Sequence, residues 1–425
     1  MARGDVLVIG SGAREHALIW KLRQSPFVKT IYAAPGNAGI AEIAINIPIN
    51  PTNLIGLLTF SRETDVDLTI VGPELPLKLG IADLFHRYGL DIFGPTAAAA
   101  KIETSKVFMK YLLSSLEIPT APFIVFSSYL RALNHVHSRD FPFVIKVDGL
   151  AGGKGVYVCQ DVKSAEIALK KMMIDKIYGD AGNSVIIENC LAGEEISIHA
   201  ICSANKTNIL TTARDHKTLR EGNKGENTGG MGVFAPVSSF SIKDMFHVEH
   251  SIVKPILAAM KRLDASFIGC LYPGLMITES GPQVLEINCR FGDPETSALV
   301  HTIEGDLFLA LQNNDSKHET AINLACNDKY AVCVVLCSKE YPTSINNPMP
   351  IYGMEKVKRL ENVYMFHGAT QLINGVLHTN GGRILNIVGV SDTSLDNARR
   401  IAYEACDLVE FHGKQYRRDI GILNL

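Results

Sequence analysis

From Asp5 to Gly94, short runs rich in β-branched residues alternate with stretches of helical spacing, and each run stops at a glycine or proline. Residues 5–9, 29–33, 68–72 and 91–94 read as strands, and 14–24 reads as a helix with Ala17, Leu18 and Leu22 on one face. Strands separated by helices are joined by crossovers rather than hairpins, so this alternation dictates a parallel sheet of βαβ units.

The pattern then changes. A helix over 97–117 is expected to close the first unit, and Pro119-Thr-Ala-Pro122 breaks it. Strands at 142–147, 156–159 and 185–189 and a helix at 162–173 follow, with a glycine loop after the first strand. Two antiparallel pairs come next: 196–202 with 208–212 around an Asn205-Lys206 turn, and 275–278 with 283–288 around Glu279-Ser-Gly-Pro282. Residues 215–236 are polar and glycine-rich, and are expected to form a long loop. Strands at 331–337 and 383–388 and a helix at 395–407 make a last unit. The expected architecture is α/β in three domains: 1–104, a substrate-binding βαβ domain; 105–325, with a flap subdomain at 120–190; and 326–425, a small α+β domain.

Several function classes fall away on composition. The 425 residues carry 41 Lys+Arg against 44 Asp+Glu, without the basic block that counterion release from nucleic acid requires, so no nucleic-acid partner is expected. No apolar run approaches the roughly 18 residues of a membrane span, and the chain starts directly in a strand, so neither membrane insertion nor a signal peptide is expected. Nine scattered cysteines, with Cys333 and Cys337 lacking CxxC spacing, fit a reducing cytoplasm.

The chemistry concentrates in a few motifs. Gly10-Ser-Gly12-Ala-Arg-Glu15 joins strand to helix, where backbone amides hold anions, but Glu15 stands where a dinucleotide fingerprint needs its third glycine, which disfavours an NAD enzyme. Gly36-Asn37 and Gly72-Pro-Glu74 end neighbouring strands at the same sheet edge, a small-molecule crevice. Lys146 sits inside an apolar strand, and such a lysine needs an anionic partner; Gly152-Gly153-Lys154-Gly155 follows as a mobile turn able to lie over a polyphosphate. Alternation puts Glu286, Asn288 and Arg290 on one face of a strand and Leu285, Ile287 and Cys289 on the other. A carboxylate, an amide oxygen and a guanidinium in line suit a magnesium ion that bridges nucleotide phosphates beside an oxyanion stabiliser.

Taken in order, these stretches resemble the ATP-grasp ligases, and among them the phosphoribosylamine–glycine ligases of purine biosynthesis. The likeness runs from Gly10-Ser-Gly-Ala-Arg-Glu-His16 through Pro35-Gly-Asn-Ala-Gly39, Asp215-His-Lys217, Asn227-Thr-Gly-Gly-Met-Gly232 and Asn288-Cys-Arg-Phe-Gly-Asp-Pro-Glu295 to Arg418-Asp-Ile-Gly421. It implies an ATP-grasp fold and a reaction in which ATP converts glycine to glycyl phosphate, which the amine of 5-phosphoribosylamine then attacks. By the same resemblance Lys106 and Lys146 hold ATP phosphates under the flap Gly152–Gly155. Glu188, Asn189 and Leu191 form the adenine hinge, Glu195 reaches the ribose, and Glu286 and Asn288 bind magnesium or manganese. Arg290, Asp293 and Lys217 serve the chemistry, while Gly10, Gly12, Gly36, Asn37, Glu74, Asp215, His216, Gly229 and Gly230 serve the substrates. A monomer is the expected state. The chain departs from the pattern at Arg214, Glu226 and Gly152, and at Tyr272-Pro-Gly-Leu-Met276, where many relatives carry a further metal carboxylate. Ligation of another acid and amine, and a non-catalytic nucleotide sensor, are the alternative readings.

Overall fold

The computed structural model describes residues 4–203, 206–312, 324–343 and 347–423. The expected Asn205-Lys206 turn therefore lies partly outside the described residues. The first unit is a parallel five-stranded sheet in the order Ile45–Asn46, Val28–Pro35, Gly4–Gly10, Leu68–Val71, Ile92–Phe93. Gly4–Gly10 is central, and its Val6, Leu7, Val8 and Ile9 are fully buried, as a strand covered on both faces must be. Successive strands add first on one side of it and then on the other, so the crevice at its carboxyl end is a topological switch point.

The expected 97–117 helix is two helices, Ala97–Thr104 and Lys106–Ser115. Ser105 between them is extended, at φ −136° and ψ 107°, and its hydroxyl accepts from the Phe108 amide at 3.1 Å while donating to Asp148 at 3.0 Å. The local N-cap thus overrides the continuous apolar periodicity and starts a helix at Lys106.

Two antiparallel sheets form the middle of the chain. Phe123–Phe126, Val185–Asn189, Phe143–Val147 and Val156–Cys159 make one, covered by helices Tyr129–Val136 and Val162–Leu169 around a core of its own that includes Phe143, Ile187 and Leu169. The other is built on the hairpin Gly269–Thr278/Gly281–Asn288, longer than expected. The expected strand 196–202 is split into Glu194–Ser197 and Ala200–Cys202, both paired with Gly269–Thr278, and its partner is shortened to Thr207–Ile209.

Residues 215–236 are not a loop. They form the hairpin Thr218–Arg220/Lys224–Asn227 and the strand Gly232–Ala235, whose Val233, Phe234 and Ala235 are fully buried. That strand and Arg214–Asp215 join Tyr330–Cys337, Arg383–Ser391 and Val363–His367 in the last sheet. The hairpin is fastened by buried Arg417, which donates to the Thr218 carbonyl at 3.0 Å and to Asn223 at 3.1 Å while paired with Asp419 at 2.7 Å.

Helix Leu395–Leu408 packs on this last sheet, with Ala398 and Ala402 fully buried. A Cβ at Gly389 would run into the Ala398 carbonyl and lie 2.5 Å from the Ala402 nitrogen. Gly389→Ala is therefore expected to cost about 1–3 kcal/mol by overpacking. Thermal or denaturant unfolding checks this, and an unchanged midpoint contradicts the packing.

Candidate active site

A cavity of about 560 Å³ opens where the three parts of the chain meet. Every site residue expected from the sequence lines it except Gly10, Gly12, Gly36, Asn37, Lys154 and Gly230.

On one wall lie the lysines. Strand Phe143–Val147 carries Lys146, only 5% exposed, whose Nζ is 2.6 Å from Glu188 and donates to the Leu285 carbonyl at 3.0 Å. Lys110, fully buried on the helix below, meets the other Glu188 oxygen at 2.5 Å. Glu188 itself is buried; burial raises its pKa, but the two ammonium groups outweigh this and hold it below the usual carboxylate range. Burial pulls Lys110 down to about 8, against the pull of Glu188. Lys146 has the anionic partner its burial demands in Glu188, inside the protein, and the Glu188 side chain is committed to two lysines, which leaves only its backbone for an adenine edge. Beyond it, Asn189 accepts from Arg139, while Leu191 lines the cavity. Lys106, at the start of its helix, donates to the Gly149 carbonyl at 3.0 Å.

Against these lysines runs the strand Gly281–Asn288, whose Leu285 carbonyl accepts from Lys146. Glu286, Asn288 and the following Arg290 face the cavity and Cys289 enters the core as alternation requires, while Ile287 packs in the core and also borders the cavity. Leu285 departs from the expectation. A register shift between Gly274 and Leu275 on the partner strand leaves Leu285 as an extra residue, so Val284 rather than Leu285 packs in the core and Leu285 lines the cavity.

Lys217 reaches between Glu286, at 3.1 Å, and Glu195. Its ammonium, together with Lys146 and Lys106, overcomes burial and pulls Glu286 down to about 2. Burial opposes the charge on Lys217, but Glu195 and Glu286 hold it well above its ordinary value. Glu195, expected at a ribose, is here the partner of Lys217. Asp215 is raised well above the carboxylate range by burial and by Glu295 nearby. His216 is driven down to about 4 by burial and by Arg417 and Arg214, and donates to the Gly232 carbonyl at 3.3 Å.

Arg290 lies 3.2 Å from Glu103 and 3.5 Å from Glu74, and donates to Asn288 Oδ1 at 3.2 Å. Glu74 comes from the first unit, so this guanidinium joins the parallel sheet's edge to the metal-suited strand. Asp293 pairs with Arg383 at 3.0 Å. Sequence reasoning missed Glu103, Lys110, Tyr272, Glu295 and Arg383. Lys110 stands in the apolar surroundings Met109, Leu112 and Leu113, and Arg383 follows Gly381-Gly382 and opens the apolar run Ile384-Leu385, the same signal of a charge in an apolar run that marks Lys146. Glu103 was hidden by reading its helix and the next as one.

The six residues outside the cavity have structural occupations. The Gly12 amide is taken by the Glu15 carboxylate at 2.6 Å, which lies against Gly10 as well, so this turn is capped by its own helix. Asn37 donates to the Ser11 carbonyl at 2.8 Å and the His367 carbonyl at 2.7 Å, tying the first unit to the last, and Gly36 abuts Asn46. Gly230 packs on Pro294 and Asp215. Lys154 turns away and donates to the Pro342 carbonyl at 2.6 Å, while Gly152 and Gly153 hold φ values of 57° and 76° that favour glycine.

The donor set fits a magnesium ion shared with phosphates. Glu286 is held as a carboxylate by the ammonium groups around it, Asn288 presents an amide oxygen two residues on, and Lys106 and Lys146 line the same cavity to balance polyphosphate charge. Among the described residues no group of three or more His, Cys, Asp or Glu side chains is placed to hold a metal.

Comparison with known proteins agrees with this geometry. Residues 4–103, 104–296 and 331–422 match in turn the N domain, the ATP-grasp (A) domain and the C domain of phosphoribosylglycinamide synthetase. The phosphoribosylamine–glycine ligase of Caldanaerobacter subterraneus subsp. tengcongensis is 42% identical over 416 residues, 98% of this chain and 99% of that one. The crystal structure of phosphoribosylamine–glycine ligase from Thermotoga maritima superposes with a TM-score of 0.80 at 30% identity, covering 98% of this chain and 99% of that one. The biotin carboxylase domain of the Hydrogenobacter thermophilus 2-oxoglutarate carboxylase, solved with magnesium ADP, shares the fold at a TM-score of 0.73 and 13% identity, over 98% and 92% of the two chains. With domain matches in the same order along almost its whole length, the chain belongs to the phosphoribosylglycinamide synthetase family.

Proposed function

We propose that this chain joins glycine to 5-phosphoribosylamine at the expense of ATP, giving glycinamide ribonucleotide, ADP and phosphate. One observation carries the reading: Glu286, Asn288 and Arg290 face the same cavity as Lys106 and Lys146. An oxygen-donor strand flanked by lysines is what a triphosphate needs, and the family's reaction is an ATP-driven ligation.

Lys106 and Lys146 take the phosphates, with Gly152, Gly153 and Gly155 closing over them. The backbone at Glu188, Asn189 and Leu191 receives the adenine, and Glu195 the ribose. Glu286 and Asn288 would hold magnesium, with manganese an alternative, and the bound ion would neutralise and orient the triphosphate. A glycine carboxylate oxygen attacks the γ-phosphorus, ADP leaves, and glycyl phosphate forms. Arg290 and Lys217 offset the charge gathered there, and Asp293, fixed by Arg383, borders the same space. The amine of phosphoribosylamine then attacks the acyl carbon, loses a proton, and phosphate departs with the former carboxylate oxygen. Water must be excluded until that attack, which the hairpin Thr218–Arg220/Lys224–Asn227 over the cavity favours. Glu74, Asp215, His216 and Gly229 are the groups left for phosphoribosylamine, since the Gly12 amide and the Asn37 side chain are already engaged.

We also propose the division 1–104, 105–325 and 326–425, a monomeric state and a cytoplasmic location. All nine cysteines are free, and among the described residues no helix is long and apolar enough to cross a membrane.

The test is ADP release with ATP, magnesium, phosphoribosylamine and a panel of amino acids. Glycine alone is expected to support turnover; a different winner, or none, overturns the substrate assignment.

A further inference from the structure

Against the turn Phe291-Gly-Asp-Pro294, at the wall of the cavity, lies a buried polar network that includes Tyr272 and Glu295 and that the reaction as described does not use. Tyr272, 3% exposed, donates its hydroxyl to the Glu295 carboxylate and lies 2.9 Å from the Ser197 hydroxyl. Its ring stacks on His199, with centroids 4.2 Å apart and planes inclined by 25°. The His199 Nε2 in turn accepts from the Gly292 amide at 3.1 Å. Gly292 is squeezed between the two ends of this network, since a Cβ there would collide with Glu295 and lie 2.8 Å from His199 Nε2. The turn is thus held at Gly292 and Glu295, and also by Arg383 on the Asp293 carbonyl at 2.9 Å.

Arg290 and Asp293 sit at the two ends of that turn. Phe291, between them, gives its carbonyl to Arg290 at 3.2 Å and to Arg14 at 3.3 Å. Thr296 also donates its hydroxyl to the Gly292 carbonyl at 2.6 Å, and the Phe291 ring is buried in the core, so the Tyr272–Glu295 pair is one of several anchors that set the height at which both side chains enter the cavity. We propose that Tyr272, acting through Glu295, is a positioning residue that sets the placement of Arg290 and Asp293 against the acyl substrate. The inference rests on the roles given to those two residues above. A carboxylate enclosed with a phenol donor is a directional joint, whereas packing alone leaves a turn free to shift, and displacement by about an ångström costs on the order of a hundredfold in rate.

The test is a double-mutant cycle with Tyr272→Phe and Glu295→Gln, read by steady-state kinetics with each substrate varied in turn. Tyr272→Phe keeps the ring on His199 and removes only the hydroxyl. Each single variant is expected to lower kcat/KM for glycine by roughly 10- to 100-fold while KM for ATP stays within about twofold. The double variant is expected to be no worse than the poorer single one, because both break one joint. Losses that multiply in the double variant, losses that fall equally on ATP and glycine, or variants as active as the parent would each overturn the inference. If the parent protein itself fails to release ADP with glycine and phosphoribosylamine, the functional reading fails instead, and the two failures are told apart.

Discussion

Glu286→Gln is expected to reduce ligation by roughly a thousandfold or more while leaving a folded protein. The substitution preserves volume and removes the only ionised oxygen among the two donors offered to the metal. Lys217 keeps Glu195 as a partner, so no cation is stranded. The loss should not be curable by pH, because with its pKa drawn down to about 2 Glu286 is already a carboxylate throughout the working range. The same shift has a sign for stability. Relative to an ordinary value of 4.5, a folded value near 2 stabilises the protein above pH 4.5, and the contribution disappears as pH falls through about 2. Turnover measured with saturating magnesium and a circular dichroism melt are the checks. Near-parental turnover by a folded variant removes Glu286 from the site.

The second large effect is expected at Glu188, and it is one of stability. One carboxylate serves two buried ammonium groups, Lys110 at 2.5 Å and Lys146 at 2.6 Å. Glu188→Gln strands both, at a cost of about 3–5 kcal/mol. Lys110, already reduced to about 8 with its partner present, is expected to be neutral at pH 7 without it. Adding Lys110→Met should restore part of the loss, because an apolar chain of similar length fills the volume between Thr120 and Phe123 without needing a counter-ion, while Lys146 stays without its anion. Denaturant unfolding of both variants decides the matter. Simple additivity, with the double variant less stable than Glu188→Gln alone, contradicts the shared-anion account.

Much of this was legible in the sequence because the informative residues broke their local pattern. Lys146 in an apolar strand, and Glu286 and Asn288 alternating with Ile287 and Cys289, are chemically conspicuous, and the structure places them around one cavity. The parallel sheet was legible for a similar reason, since alternation of period-two and helical spacing leaves few topologies. What stayed hidden was set by tertiary contact. The Glu15 carboxylate over Gly12 is invisible in a motif that reads as an anion loop. Ser105 breaks a helix whose apolar periodicity runs on past it, because its side chain caps the next one. Strand Gly232–Ala235 was lost in polar surroundings, since its partner Tyr330–Cys337 lies a hundred residues on. The pairing of Arg383 with Asp293 depends on folding across some ninety residues, and short-range spacing carries no trace of such a partner.

The central claim, that a glycine carboxylate accepts the γ-phosphoryl group in this cavity before the amine attacks, is tested most directly with glycine carrying ¹⁸O in both carboxylate oxygens. In a single turnover with ATP, magnesium and phosphoribosylamine, the released phosphate is predicted to contain one labelled oxygen and the product amide the other. Phosphate released without label, alongside normal glycinamide ribonucleotide formation, would contradict the acyl phosphate.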